Sequence, residues 1–256
     1  MDLRHAGPRE LEAALASGRS QLLQLFDGFE RALGSDGLHI AFDPVLNLPL
    51  WELGHIGWFE EYWLSRNPDR GAGVRSDPAG KRLPSALPGA DSLYDSSNVP
   101  HARRWSLELP HPDATREYLS RVREATLQLL RQSRETDDKL YFFRLALFHE
   151  DMHREAWHFM AQQLGIDLGP AMQARAPKAA AATGEWQIAA GVRAQGVEGP
   201  GFAFDNEWVA HDVVVEAFSI DRVPVSWARY LPFVNDGGYS ARALWSDAGW
   251  SWREAQ

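Results

Sequence analysis

Two histidines four residues apart, on the apolar side of a long periodic segment, constrain this chain more than any other feature. His149 and His153 stand in the run Leu147-Phe148-His149-Glu150-Asp151-Met152-His153-Arg154-Glu155. At about 100° per residue they share a stripe with Leu145, Met152, Ala156 and Met160. A third histidine, His55, lies far upstream, on a stripe with Trp51, Trp58, Phe59 and Tyr62. Both segments read as amphipathic helices with their imidazoles turned inward. A lone histidine on an apolar face is ordinarily satisfied by one hydrogen bond in a core. Three that point into one core call for a common partner, and a divalent metal is the obvious candidate. The fold must then bring helices that are distant in sequence against one another.

The spacing of apolar residues predicts four such helices. The first spans 8–33, with Pro8 at its opening position and a stripe of Leu11, Leu15, Leu22, Leu25, Phe26, Phe29 and Leu33. The second, 47–65, carries His55. The third, 112–133, opens on Pro112-Asp113 and turns Tyr118, Val122, Ala125 and Leu129 inward. The fourth, 137–164, carries His149 and His153 and stops before Gly165. Between the second and third lies an irregular stretch, 66–111, rich in Pro, Gly, Ser and Asp. A loop of that length inside a compact domain is usually functional. Four helices with one long crossover read as a bundle.

Past residue 170 the composition changes. Pro177–Thr183 is an Ala-rich linker. Short β-like runs follow at Trp186–Ile188, Val213–Val215 and Phe218–Asp221, with turn signals at Gly199-Pro200-Gly201 and Asp236-Gly237-Gly238. About 70 residues are few for a domain this aromatic, which predicts that the chain is truncated there or pairs with a further segment.

Composition excludes several classes. A formal charge of −9 argues against a nucleic-acid partner. No apolar run reaches the roughly 18 residues of a membrane span. The charged start, Met1-Asp2-Leu3-Arg4-His5, lacks a signal-peptide core, so a cytoplasmic protein is expected. The absence of cysteine removes disulfides, thiolate ligands and a cysteine nucleophile together.

The histidine pair supports two chemistries. His149-Glu150-Asp151-Met152-His153 matches H-E-x-x-H, in which the glutamate is the general base of a zinc peptidase. The further histidine spacing of the metzincins is absent. Read instead as H-x-x-x-H-x-E with His55 as third ligand, the set leaves up to three open positions on an octahedral ion. That arrangement suits iron(II), where O₂ and a substrate must both bind. Glu155 lies roughly 80° off the stripe and reads as a hydrogen-bonding partner of a ligand or as a salt bridge.

On these residues the chain resembles the ergothioneine-type non-haem iron sulfoxide synthases. The markers run in order: Leu53-Gly54-His55-Ile56, Leu93-Tyr94-Asp95, His149-Glu150-x-x-His153-x-Glu155, then Phe204-Asp205-Asn206-Glu207 followed by His211. Phe218-Ser219-Ile220, Pro224-Val225-Ser226 and Asp236-Gly237-Gly238-Tyr239 continue it. The resemblance implies an α+β architecture in three parts. Residues 1–170 form a DinB-like four-helix bundle with the metal site, 171–184 a linker, and 185–256 an incomplete beginning of a C-type-lectin-like (formylglycine-generating-enzyme-like) domain. It implies Fe(II) on His55, His149 and His153, with hercynine, O₂ and a sulfur or selenium donor as partners. A C–S or C–Se bond then forms on the imidazole of hercynine. The family's catalytic tyrosine falls beyond Gln256.

Two departures bear on the donor. Family members that use γ-glutamylcysteine carry R-x-x-R to hold its carboxylates, and here that stretch reads His101-Ala102-Arg103-Arg104. Arg104 keeps the second arginine, but a neutral imidazole at His101 cannot replace a bidentate guanidinium. Met152 replaces a glutamine that contacts the substrate imidazole. Both changes favour a donor with fewer carboxylates, such as a selenosugar, and the selenoneine synthase branch. The thiol-using alternative has Arg103 stand in for the missing arginine. A zinc-dependent hydrolase or a DinB-like thiol transferase is the alternative of another class.

Overall fold

The computed structural model describes residues 2–34, 36, 38–169 and 184–256. The chain divides into two compact units, Met1–Arg175 with Gly196–Ala210, and Ala176–Gln195 with His211–Gln256. The linker reading at 171–184 lies, Gly184 apart, outside the described residues. No helix among the described residues is long and apolar enough to cross a membrane.

The first unit is built on four long helices: α1 (Pro8–Leu33), α2 (Pro49–Trp63), α4 (Pro112–Arg131) and α5 (Asp137–Leu164), with a short α3 (Ala90–Tyr94) between the second and third of them. Three of the long helices begin on proline, whose fixed φ suits the first turn and whose missing N–H costs nothing there. Gly165 ends α5 in the left-handed conformation, φ 67°, that glycine adopts without strain. The core joins Leu22, Phe26 and Phe29 of α1 to Leu53 and Ile56 of α2, Leu119 and Val122 of α4, and Trp157 and Met160 of α5. Residues 196–210 return to this unit. Phe202 lies against Tyr141 and Phe148, and its backbone N–H donates to Arg4 O at 2.8 Å.

Two expectations need correction here. The segment carrying His55 is not amphipathic: α2 is buried nearly all round, as a central helix must be. Its glycines permit this. A Cβ at Gly54 would stand 2.2 Å from the Tyr94 ring, and one at Gly57 would stand 2.7 Å from Leu119. Nor is 66–111 an unstructured excursion. It contains α3 and 3₁₀ turns at Arg70–Arg75 and His101–Ser106, and it is tied along α2. Arg66 and Trp58 both donate to Asp91, and Trp51 Nε1 donates to Leu93 O at 2.7 Å.

The bundle's interior also holds a charge cluster drawn from all four long helices. Glu60 (α2) pairs with Arg19 (α1) and Arg123 (α4), and Glu150 (α5) pairs with the same two arginines, at 2.7–2.9 Å. All four side chains are buried. Burial alone would raise the Glu60 carboxyl, but Arg123 and Arg19 outweigh it and hold the group below the usual carboxylate range.

The second unit contains two antiparallel strand pairs. β1 (Glu185–Ile188) pairs with β4 (Phe218–Asp221), and β2 (Gly191–Gln195) with β3 (His211–Val215). Helices α6 (Trp227–Asn235) and α7 (Asp247–Glu254) follow; neither these nor β2 was expected from the β-like reading of this region. Among its described residues only Gly238 is buried, and Trp227 is 73% exposed.

Candidate metal centre

His55 sits mid-way along α2, where local packing fixes it from three sides. Gly54 lets the Tyr94 ring close onto the helix backbone, which brings the Tyr94 carbonyl to 2.8 Å from His55 Nδ1. Trp51 stacks on the imidazole at 5.0 Å between centroids and 8° between planes, and Trp58 at 5.8 Å and 25°. On α5 the ring of His149 lies flat on Phe59, 3.6 Å between centroids at 6°. His153 is held by Glu52 of α2, whose Oε1 lies 2.5 Å from His153 Nδ1.

These contacts turn three rings toward one point. The nitrogens His55, His149 and His153 can each offer to an ion all lie within 4.8 Å of one another. His149 Nε2 and His153 Nε2 stand 3.2 Å apart. Two nitrogens bound to one ion stand about 3.0–3.4 Å apart, from right-angled to tetrahedral geometry. The tautomers agree with this. The Tyr94 carbonyl is an acceptor only, so His55 Nδ1 carries its proton and Nε2 keeps its lone pair. A carboxylate on His153 Nδ1 has the same effect there. Three such nitrogens converging in a largely buried space could hold a shared cation, and nitrogen donors without thiolates suit iron or zinc.

The electrostatics favour neutral rings. Burial, reinforced by nearby His153, pushes His55 down to about 3 against the opposing pull of the Tyr94 carbonyl. Burial, with His153 and His55 nearby, also drives His149 well below its ordinary value. A neutral imidazole is the ligating form.

The remaining residues singled out in the sequence fall in different places. Met152 is 49% exposed, a correction to its place on the apolar stripe: it lies about 100° from His153, past the edge of the buried arc. Glu155 is exposed, and among the described residues no hydrogen bond joins it to any of the three histidines. Glu150 does not face the histidines; Arg19 and Arg123 hold it in the charge cluster, so it cannot act as an H-E-x-x-H base. Arg104 lies 3.8 Å over the Trp51 ring, which itself stacks on His55, and donates to Asn47 Oδ1 at 2.5 Å. His101 Nε2 lies 2.7 Å from Leu46 O, and its ring packs on Phe42 and Trp105. Arg103 is exposed. The residue that sequence reasoning missed is Glu52. Its signal was a carboxylate one turn before His55 in an otherwise apolar stretch.

Comparison with known proteins adds to this picture. Three curated relatives are hercynine oxygenases, each 34% identical. They come from Mycolicibacterium thermoresistibile (95% of this chain, 52% of the relative), Mycolicibacterium smegmatis (95% and 54%) and Mycobacterium tuberculosis (96% and 55%). The chain thus spans about half the length of the curated relatives it matches. A family model described as the DinB superfamily matches residues 14–157, which takes in α2, most of α5 and all three histidines. With more than half of its length matched, the chain belongs to the DinB superfamily.

Proposed function

We propose that this chain carries the metal centre of an oxygen-dependent enzyme that modifies hercynine, with Fe(II) held by His55, His149 and His153. The convergence of three imidazole nitrogens, two with the outer nitrogen already engaged, carries this reading. The hercynine oxygenase names of its relatives supply the substrate and O₂. On this reading residues 1–170 are the bundle, 171–184 the linker, and 185–256 the start of a C-type-lectin-like domain.

Iron(II) held by these three histidines would offer open positions to O₂ and a substrate. The chain's own residues do the rest. The Tyr94 carbonyl holds the proton at His55 Nδ1, so its lone pair faces inward. Trp51 and Phe59 fix the planes of His55 and His149 and exclude water from two sides. The peptidase reading loses its general base, because Glu150 is engaged elsewhere.

The donor we assign is a selenosugar, giving a C–Se bond on the hercynine imidazole. His101 supports this: its imidazole is committed to a backbone carbonyl and to aromatic packing, so it cannot act as half of a carboxylate clamp. One observation favours the thiol reading instead. Arg103 is exposed, and no side-chain partner holds it among the described residues, which leaves its guanidinium open to a carboxylate. The test loads the full-length protein with Fe(II) under anaerobic conditions, then adds O₂, hercynine and either a selenosugar or γ-glutamylcysteine. Mass spectrometry is expected to show the selenium adduct. Turnover of γ-glutamylcysteine alone moves the protein to the sulfur branch, and no hercynine-derived product with either donor rejects the reading.

A further inference from the structure

Helix α2 buries three glutamates, and two of them have structural explanations. Glu60 is held by Arg19 and Arg123. Glu61 accepts from the Tyr118 hydroxyl at 2.8 Å, from Ser85 Oγ at 2.5 Å and from the Ala86 backbone N–H at 2.7 Å. The third, Glu52, is 3% exposed; the Arg104 guanidinium is near enough to attract its charge, yet its side chain has a single hydrogen-bonding partner among the described residues, His153. A buried carboxylate costs several kcal/mol unless it is paired. For packing alone, an apolar residue would serve better at this position.

We propose that Glu52 is a positioning residue for the metal centre, acting through His153. This rests on the metal-centre reading above. Its Oε1 accepts the Nδ1 proton of His153 at 2.5 Å, which fixes the tautomer and turns Nε2 toward His149 and His55. The negative charge also strengthens His153 as a donor and offsets part of the ion's charge in a buried site. His55 offers the contrast within the same site, since its Nδ1 meets only the neutral carbonyl of Tyr94. The contact does mechanical work too. It links α2, which carries His55 three residues further on, to α5 at His153 itself.

The test compares the wild-type chain with Glu52→Gln and Glu52→Asp. It measures Co(II) affinity and the visible ligand-field spectrum of the bound ion, with circular dichroism and a thermal melt of each metal-free protein. Glu52→Gln is expected to keep its helical signal and to bind Co(II) about 10- to 100-fold more weakly, with shifted bands. Glu52→Asp keeps the charge but is one methylene short, and falls between. Wild-type affinity and spectrum in Glu52→Gln overturn the proposal while leaving the metal centre standing. A wild-type chain that takes up no Co(II), or loses none of its affinity on His149→Ala, overturns both. A second measurement needs no variant. In ¹⁵N-histidine-labelled wild-type protein loaded with Zn(II), His153 is expected to carry its proton on Nδ1 and the ion on Nε2. The ion on Nδ1 contradicts the proposal.

Discussion

The two units of this chain bury their aromatic residues to opposite degrees. In the first, Trp51, Trp157, Tyr94 and Tyr118 are fully enclosed, and even charged groups are taken inside and paired. In the second, Trp186 and Ile220 face each other across β1 and β4, yet both remain more than half exposed. The difference teaches where stability resides. The histidine cluster is braced by a core that closes on itself, whereas the second unit displays apolar surface that its described residues do not cover. Stability and metal binding should therefore answer to substitutions in the first unit and be nearly indifferent to those in the second.

The largest effect is expected in the charge cluster. Arg123→Ala leaves Glu60 and Glu150 buried with half their partners gone, and should cost about 3–5 kcal/mol in urea unfolding. A loss below about 1 kcal/mol would mean that the cluster is hydrated and does not brace the bundle.

Acid should act through the same cluster. Glu60 is held below its unfolded value, so between the two values the unfolded chain binds the extra proton and stability rises with pH. The contribution is complete above the unfolded carboxylate range, near 4.5, and is lost as pH falls from there through the folded value. Urea midpoints taken from pH 7 to pH 3 should drop below about pH 5 in the wild type and more shallowly in Glu60→Gln. Parallel profiles would break the assignment.

Gly54→Ala comes next. The added methyl group meets the Tyr94 ring, and overpacking of this kind costs about 1–3 kcal/mol. Because the Tyr94 carbonyl holds His55, metal affinity should fall in the same variant. Unchanged affinity would separate the packing from the site. The smallest effect belongs to the second unit. Trp186→Ser should change the stability of the helical unit by less than about 0.5 kcal/mol. A large loss there would overturn the contrast.

Periodicity carried the sequence reading where a helix shows one face to the core. The limits of α1 and α5 were legible to the residue, from Pro8 and Gly165 and the apolar stripes between. Periodicity fails when a helix is wrapped on all sides, which is why α2 was found but taken as amphipathic. It fails again in short elements. The five residues of α3 are too few to show a period, and Pro232 inside α6 interrupts the pattern by which a helix is recognised. The three histidines stood out because their residue type is rare on apolar faces. Glu52 did not, and Glu150 stood out only as a general-base candidate, since which buried partner a glutamate meets is a tertiary matter: one faces His153 and the other two arginines. The placing of Arg104 on Trp51, and of His101 on Leu46, was equally invisible before the 66–111 stretch was seen lying along α2.

One measurement tests the central claim most directly: anaerobic Fe(II) titration of the wild-type chain and of His55→Ala, His149→Ala and His153→Ala, followed by X-ray absorption at the iron edge. The account predicts one Fe(II) per wild-type chain, nitrogen donors at about 2.1 Å, and a large loss of affinity in each of the three variants. Absent binding, or binding that survives all three substitutions unchanged, would contradict it.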